Sequence, residues 1–169
     1  MTIETRIPGL TLRWADADDV PVILELIEGL AEYERAPDQV EATPETLRET
    51  LFGAAPQAEV VLAELDGTVA GFALFFHNYS TWRARRGLYL EDLFVRPEHR
   101  GRGVGAALLC YLARVAVERD CARMEWSVLD WNEPALGFYR ALGAKPMDEW
   151  TVQRLDGEAL AAVAGRFPG

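Results

Sequence analysis

The chain has 169 residues, half of them apolar and 26% charged, which fills one ordinary globular core and leaves little for a second. Seventeen basic residues stand against 27 acidic ones. The formal net charge of −10 argues against general nucleic-acid binding, which needs a basic face, and suits a cationic partner or simple solubility. The first ten residues are too polar for a signal peptide, and no apolar run approaches the roughly 18 residues that a membrane span needs. The expected setting is therefore cytoplasmic, with no membrane and no nucleic acid as partner. Cys110 and Cys121 lack CxxC spacing, so neither a disulfide framework nor a metal site is expected.

The elements are read in chain order. Leu12 and Trp14 alternate with polar neighbours over 11–14, a short first strand. Asp16 can cap a helix, with Asp19 three residues on as a short-armed capping box, and Val20, Ile23, Leu24, Ile27 and Leu30 recur at helical spacing over 17–34. Pro37 stops that helix. Thr43 followed by Pro44 opens a second one, to about Phe52. Residues 59–65 and 68–76 flank Asp66-Gly67, a dipeptide suited to a tight hairpin turn. A third long strand, 88–95, ends at Pro97. A helix is expected from Gly103 to about Arg119, a strand over 122–129, a short helix over 133–142 closed by Gly143, and a last strand over 146–155. This order describes an α+β fold, a mixed, mostly antiparallel sheet flanked by helices, in a single domain spanning 1–169.

The densest chemical signal is RGRGVG, Arg100 to Gly105, between a strand and a helix. Its three glycines let the main chain approach a ligand, and the unpaired N–H groups of a helix start, with the helix dipole behind them, suit a pyrophosphate. Arg96, Arg100 and Arg102 add positive charge. The alternative is a glycine-rich turn without a ligand, at about 1 kcal/mol for each helical glycine. A Walker A loop needs a lysine that is missing here. A Rossmann fingerprint needs Gly-x-Gly-x-x-Gly in a βαβ unit, whereas the spacing here is Gly-x-Gly-x-Gly after an antiparallel strand.

Arg100 to Gly105 resembles the acetyl-CoA pyrophosphate motif of the GCN5-related N-acetyltransferases (GNAT), and WNEPALGFY at 131–139 is similar to the family's second motif. The likeness runs from Thr11 to Leu155. More narrowly, LAEYE at 30–34, LYLEDLFV at 88–95 and WNEP at 131–134 look like the diamine (spermidine/spermine) and thialysine branch. The resemblance implies acetyl-CoA as cosubstrate, held by the main chain of Phe94 and Val95, by Arg100, Gly101, Arg102, Gly103, Val104 and Gly105, and by Asn132 and Tyr139. It implies direct transfer to an amine, with Tyr139 protonating the departing thiolate and Glu91 acting as base through a water. It also implies a homodimer.

Glu91 and Asp92 are adjacent carboxylates in an otherwise apolar strand, so each needs a partner or a purpose. Strand alternation would send them to opposite faces unless a bulge intervenes, and the family carries one nearby. Asp92 is read as binding the acceptor cation or, equally, as half of an ion pair with a loop arginine. Glu34, Trp82 and Trp150 match the branch's acceptor positions, an acid among indoles that suits a primary ammonium. Asn132 is also a good helix N-cap, and His77 and His99 suggest no metal pair. One departure is informative: Ser80 stands where the branch's polyamine enzymes carry an Asp, which favours a shorter amine such as a thialysine-like amino acid. An N-acetyltransferase acting on a protein N-terminus or an antibiotic amine, and an acyl-CoA-binding module without catalysis, are the alternatives.

Overall fold

The structure, a computed structural model, describes residues 1–168. These fall into two compact units, one over 1–129 and the other from residue 130 onward. The N-terminal unit is built on a six-stranded sheet whose strands lie in sequence order. Strands β1 (Thr2–Glu4), β2 (Leu10–Trp14), β3 (Glu59–Leu65), β4 (Thr68–Ser80) and β5 (Arg85–Val95) are antiparallel neighbours, and β6 (Met124–Glu125) pairs with β5 in parallel. The fold class is α+β, as the sequence pattern indicates.

Helices cover both faces. On one, α1 (Val20–Tyr33) and α2 (Pro44–Phe52) bury Val20, Ile23, Leu26, Leu47 and Leu51 against Val60, Leu62, Phe72 and Phe94. The approach is close enough that a Cβ on Gly29 of α1 would lie 3.0 Å from the Phe94 ring. On the other face lies α3 (Val104–Glu118), whose Tyr111 meets Trp14 of β2 edge-on at 6.1 Å. The C-terminal cap of α3 is tied to the sheet by Arg119, which pairs with Glu59, lies over Trp14 and donates to His77 Nε2 at 3.0 Å. His77 Nδ1 then donates to the Gly87 carbonyl, a structural role.

Local chemistry places the first helices. Asp16 and Asp19 form a reciprocal capping box around a 3-10 turn at 17–19, and Arg13 reaches Asp19 at 2.6 and 2.8 Å. Thr43 and Thr46 form a second box across Pro44, the first residue of α2. The Asp66-Gly67 turn carries the expected left-handed backbone, φ +52° and +79°.

Four features differ from the sequence reading. Strand β1 precedes the expected first strand; at three residues it is too short to show a period. The strand expected over 122–129 shrinks to Met124–Glu125, because β5 pairs with it only at Leu88 and Tyr89. In the C-terminal unit, 146–155 is irregular instead of a strand, although Trp150 and Val152 alternate with polar residues. That unit instead contains α4 (Glu133–Ala141), as expected, and an unforeseen α5 (Gly157–Ala164), whose small apolar residues carry no strong period.

Candidate active site

Strand β5 carries both halves of the candidate site. At its C-terminal end the chain passes Arg96, makes a 3-10 turn at Pro97–His99 and enters the glycine loop. Gly101 and Gly103 are both left-handed, φ +74° and +81°, where a side chain would be strained. Nothing lies within 4 Å of a Cβ built on Gly101, while one on Gly103 would press on Ile7 Cδ1 at 2.8 Å. A Cβ built on Gly105, in the first turn of α3, would stand in ordinary contact with Val95, 3.6 Å from its Cγ2. No side chain caps that helix start, so its leading N–H groups are left for a ligand. The residues present fit a pyrophosphate held by main-chain donors and the helix dipole.

The arginines around this loop are turned elsewhere. Arg96 pairs with Glu25 at 2.9 Å, and Arg102 with Asp66 of the hairpin turn at 3.1 Å. Arg100 donates from Nε to the Val95 carbonyl at 3.0 Å and lays its guanidinium over Tyr33, 4.9 Å from the ring centre, and over Phe94. The loop's anion-binding capacity thus rests first on its backbone. Phe94 directs its ring into the α1 face, leaving only its main chain for a ligand. Within the N-terminal unit the β6-side edge of β5 beyond Tyr89 has no strand partner, and at Val95 the carbonyl is taken by Arg100 Nε.

Three residues earlier, a bulge reorganises the strand. Leu93 lies opposite Ala73 and Leu90 opposite Phe75, so Leu90 and Leu93 share a face despite their odd separation. The extra residue is Glu91, which has no register partner; Asp92 faces Leu74 on the α1 side. One inserted residue therefore lets both carboxylates turn to the face that α1 covers. Glu34, the C-cap residue of α1, joins them there, close enough for its charge to act on Asp92.

Half-buried Asp92 is pushed up to about 6, first by burial and then by the charges of Glu91 and Glu34. Partial burial raises Glu34 as well. Among the described residues, no cation lies within ion-pair distance of any of the three. The loop arginines that could have neutralised Asp92 have other partners: Arg85 holds Asp120, and Arg86 the Arg119 carbonyl. The ion-pair reading of Asp92 is not what the structure shows. An uncompensated cluster of three acids, exposed Glu34 and Glu91 beside half-buried Asp92, lies roughly 10 Å along β5 from the glycine loop and can take up an ammonium group.

The remaining candidates stand apart. Trp82 is 92% exposed at the tip of the β4–β5 hairpin, roughly 20 Å along β5 from Glu91, and is not brought to the acids within this chain. In the C-terminal unit, Asn132 caps α4 through the Ala135 N–H, Tyr139 lies within that helix with its ring 5.4 Å from Phe138, and Trp150 is exposed. The sequence reading passed over Asp66, Ile7 and Tyr33. In the sequence Asp66 marks only a turn, and no signal ties that turn to a loop 36 residues away.

A family model described as the acetyltransferase (GNAT) family matches residues 23–144. The chain belongs to this family. It is 39% identical to the thialysine N-epsilon-acetyltransferase of Bos taurus over 166 residues, 92% of this chain and 97% of that protein. It is 34% identical to an L-ornithine N5-acetyltransferase of Arabidopsis thaliana, covering 90% of this chain and 86% of that one. Among solved structures, an integron cassette protein from the mobile metagenome of V. cholerae superposes with a TM-score of 0.77 at 25% identity, covering 92% of this chain and 98% of that chain. The GNAT fold and an N-acetyltransferase activity, moving an acetyl group to an amine, follow for this chain.

Proposed function

We propose that this N-acetyltransferase uses acetyl-CoA to acetylate a primary amine on a small, cationic, amino-acid-like or diamine acceptor. The observation that carries the reading is the uncompensated cluster of Glu34, Glu91 and Asp92 on the strand that leads into the glycine loop. The acceptor class is supported by the thialysine and ornithine acetyltransferases among its relatives. Ser80, in place of the polyamine enzymes' Asp, favours the shorter amines.

When bound, acetyl-CoA supplies the activated acetyl group. Gly101, Gly103 and the first N–H groups of α3 hold its pyrophosphate, and the main chain of Phe94 and Val95 lines its pantetheine arm. Asp92 and Glu34 hold the acceptor's positive charge, which relieves the repulsion that raises Asp92. Glu91 takes the proton of the attacking amine through a water, and the hydroxyl of Tyr139 gives one to the sulfur as the carbon–sulfur bond breaks and the carbon–nitrogen bond forms. Asn132 contacts the pantetheine arm while capping α4, and Trp150 lines the acceptor's path. The whole chain acts as one acetyltransferase domain, as a cytoplasmic homodimer.

Release of free thiol from acetyl-CoA, measured against thialysine, lysine, ornithine, putrescine, spermidine, spermine and short peptides, tests this. Turnover confined to the small amino acids or diamines is the expected result. A preference for peptide N-termini would overturn the acceptor class. Silence with every amine, alongside intact CoA binding, would support the non-catalytic module.

A further inference from the structure

All three arginines around the glycine loop are engaged, and Arg102 is held by an acid from a turn distant in sequence. Asp66 occupies the left-handed position of the β3–β4 turn at φ +52°, and its N–H donates to the Gly9 carbonyl at 2.8 Å. A Cβ built on Gly9 would collide with its Oδ1, so the carboxylate lies against the β1–β2 turn. Its other oxygen, Oδ2, accepts from Arg102 Nη2 at 3.1 Å. Arg102 lies between the two left-handed glycines, and Ile7 of the same β1–β2 turn abuts Gly103. Two turns far away in sequence therefore grip the loop, one by packing and one by charge.

We infer that Asp66 sets the loop's affinity for the CoA phosphates by holding Arg102 in an ion pair that the phosphates must compete with. This rests on acetyl-CoA being the donor. An exposed pair such as this is worth little to stability, so its weight falls on binding: half the pair is a cation next to an anion site, and the other half cancels it.

Titration calorimetry with CoA on the full-length wild type, Asp66→Asn, Arg102→Ala and the double variant tests it. Asn tolerates the left-handed backbone of the turn and removes only the charge. Asp66→Asn is expected to tighten CoA binding about three- to tenfold at low salt, with a steeper loss of affinity as salt rises. Arg102→Ala is expected to weaken binding, and adding Asp66→Asn to it to change affinity less than about twofold. An unchanged or weakened Asp66→Asn would overturn the inference. So would an equal gain without Arg102, since Asp66 would then act on the phosphates directly. Should Asp66→Asn melt early, the wild type and Arg102→Ala remain informative: identical affinity and salt dependence in these two would equally refute a role for the pair. Failure of the wild type to bind CoA would remove the acetyl-CoA reading and this inference together; a failed pattern among variants that bind removes only the inference.

Discussion

Asp92 ties stability and function together in a way that one substitution can separate. Its carboxyl is raised from 3.8 to about 6, by burial first and then by Glu91 and Glu34. Two units correspond to about 3 kcal/mol as a ceiling, which solvent access to a half-buried group reduces to about 1–2 kcal/mol. The sign follows from proton binding. Between about pH 4 and 6 the native state keeps a proton that the unfolded chain releases, so wild-type stability declines as pH rises through that window and is flat above it. Asn has nothing to ionise, so Asp92→Asn should gain stability over wild type at neutral pH and much less in acid. Denaturant unfolding at about pH 7.5 and about pH 4.5 should show the variant's advantage larger by about 1–2 kcal/mol at the higher pH. The same variant should raise the amine KM at least about tenfold, because the acceptor cation loses its most buried counter-charge. An advantage independent of pH, or a variant less stable than wild type near pH 7.5, would refute the electrostatic reasoning.

How much of this was legible beforehand follows from which interactions are local. Capping boxes, the Asp66-Gly67 turn and the amphipathic helices are set by residues within four positions of one another, and α1, α2, α3 and α4 lie where the pattern puts them. The glycine loop was equally readable, since its left-handed residues and the following helix form one contiguous signal. Pairing between strands is not local. Whether 122–129 or 146–155 forms a strand depends on a neighbour's edge, which alternation cannot supply, and β5 offers β6 only two residues. At the site, the residue types at 34, 91 and 92 pointed to a cation, but their convergence depends on one inserted residue in β5. Alternation alone sends two adjacent acids to opposite faces; the bulge between Leu90 and Leu93 was indicated only by the family resemblance. The loop arginines show the opposite failure. They looked like phosphate ligands by proximity in sequence, and each found a partner from elsewhere in the fold.

Two further outcomes follow. Tyr139→Phe removes a hydroxyl and almost no volume, so turnover should fall by about two to four orders of magnitude, with CoA affinity within about twofold of wild type; turnover within tenfold of wild type would exclude the acid role. Gly29 offers a mechanical test of the acceptor half. Glycine within α1 costs about 1 kcal/mol against alanine, and what it gains is the approach to Phe94, where a Cβ would stand 3.0 Å from the ring. Alanine should come out near neutral, as its helix gain offsets mild overpacking. Leucine exceeds any such tolerance and should cost about 2–3 kcal/mol, lowering Tm by roughly 4–12 °C. Because Phe94 is almost fully buried, relief has to come from α1 moving outward, and Glu34 lies five residues further along that helix. The amine KM should therefore rise more than the CoA Kd, since α1 reaches the loop through the side chains of Arg96 and Arg100 and not through the main-chain donors that hold the phosphates. Equal loss in both would mean that the insult spreads through β5 instead, and that α1 does not position the acid independently.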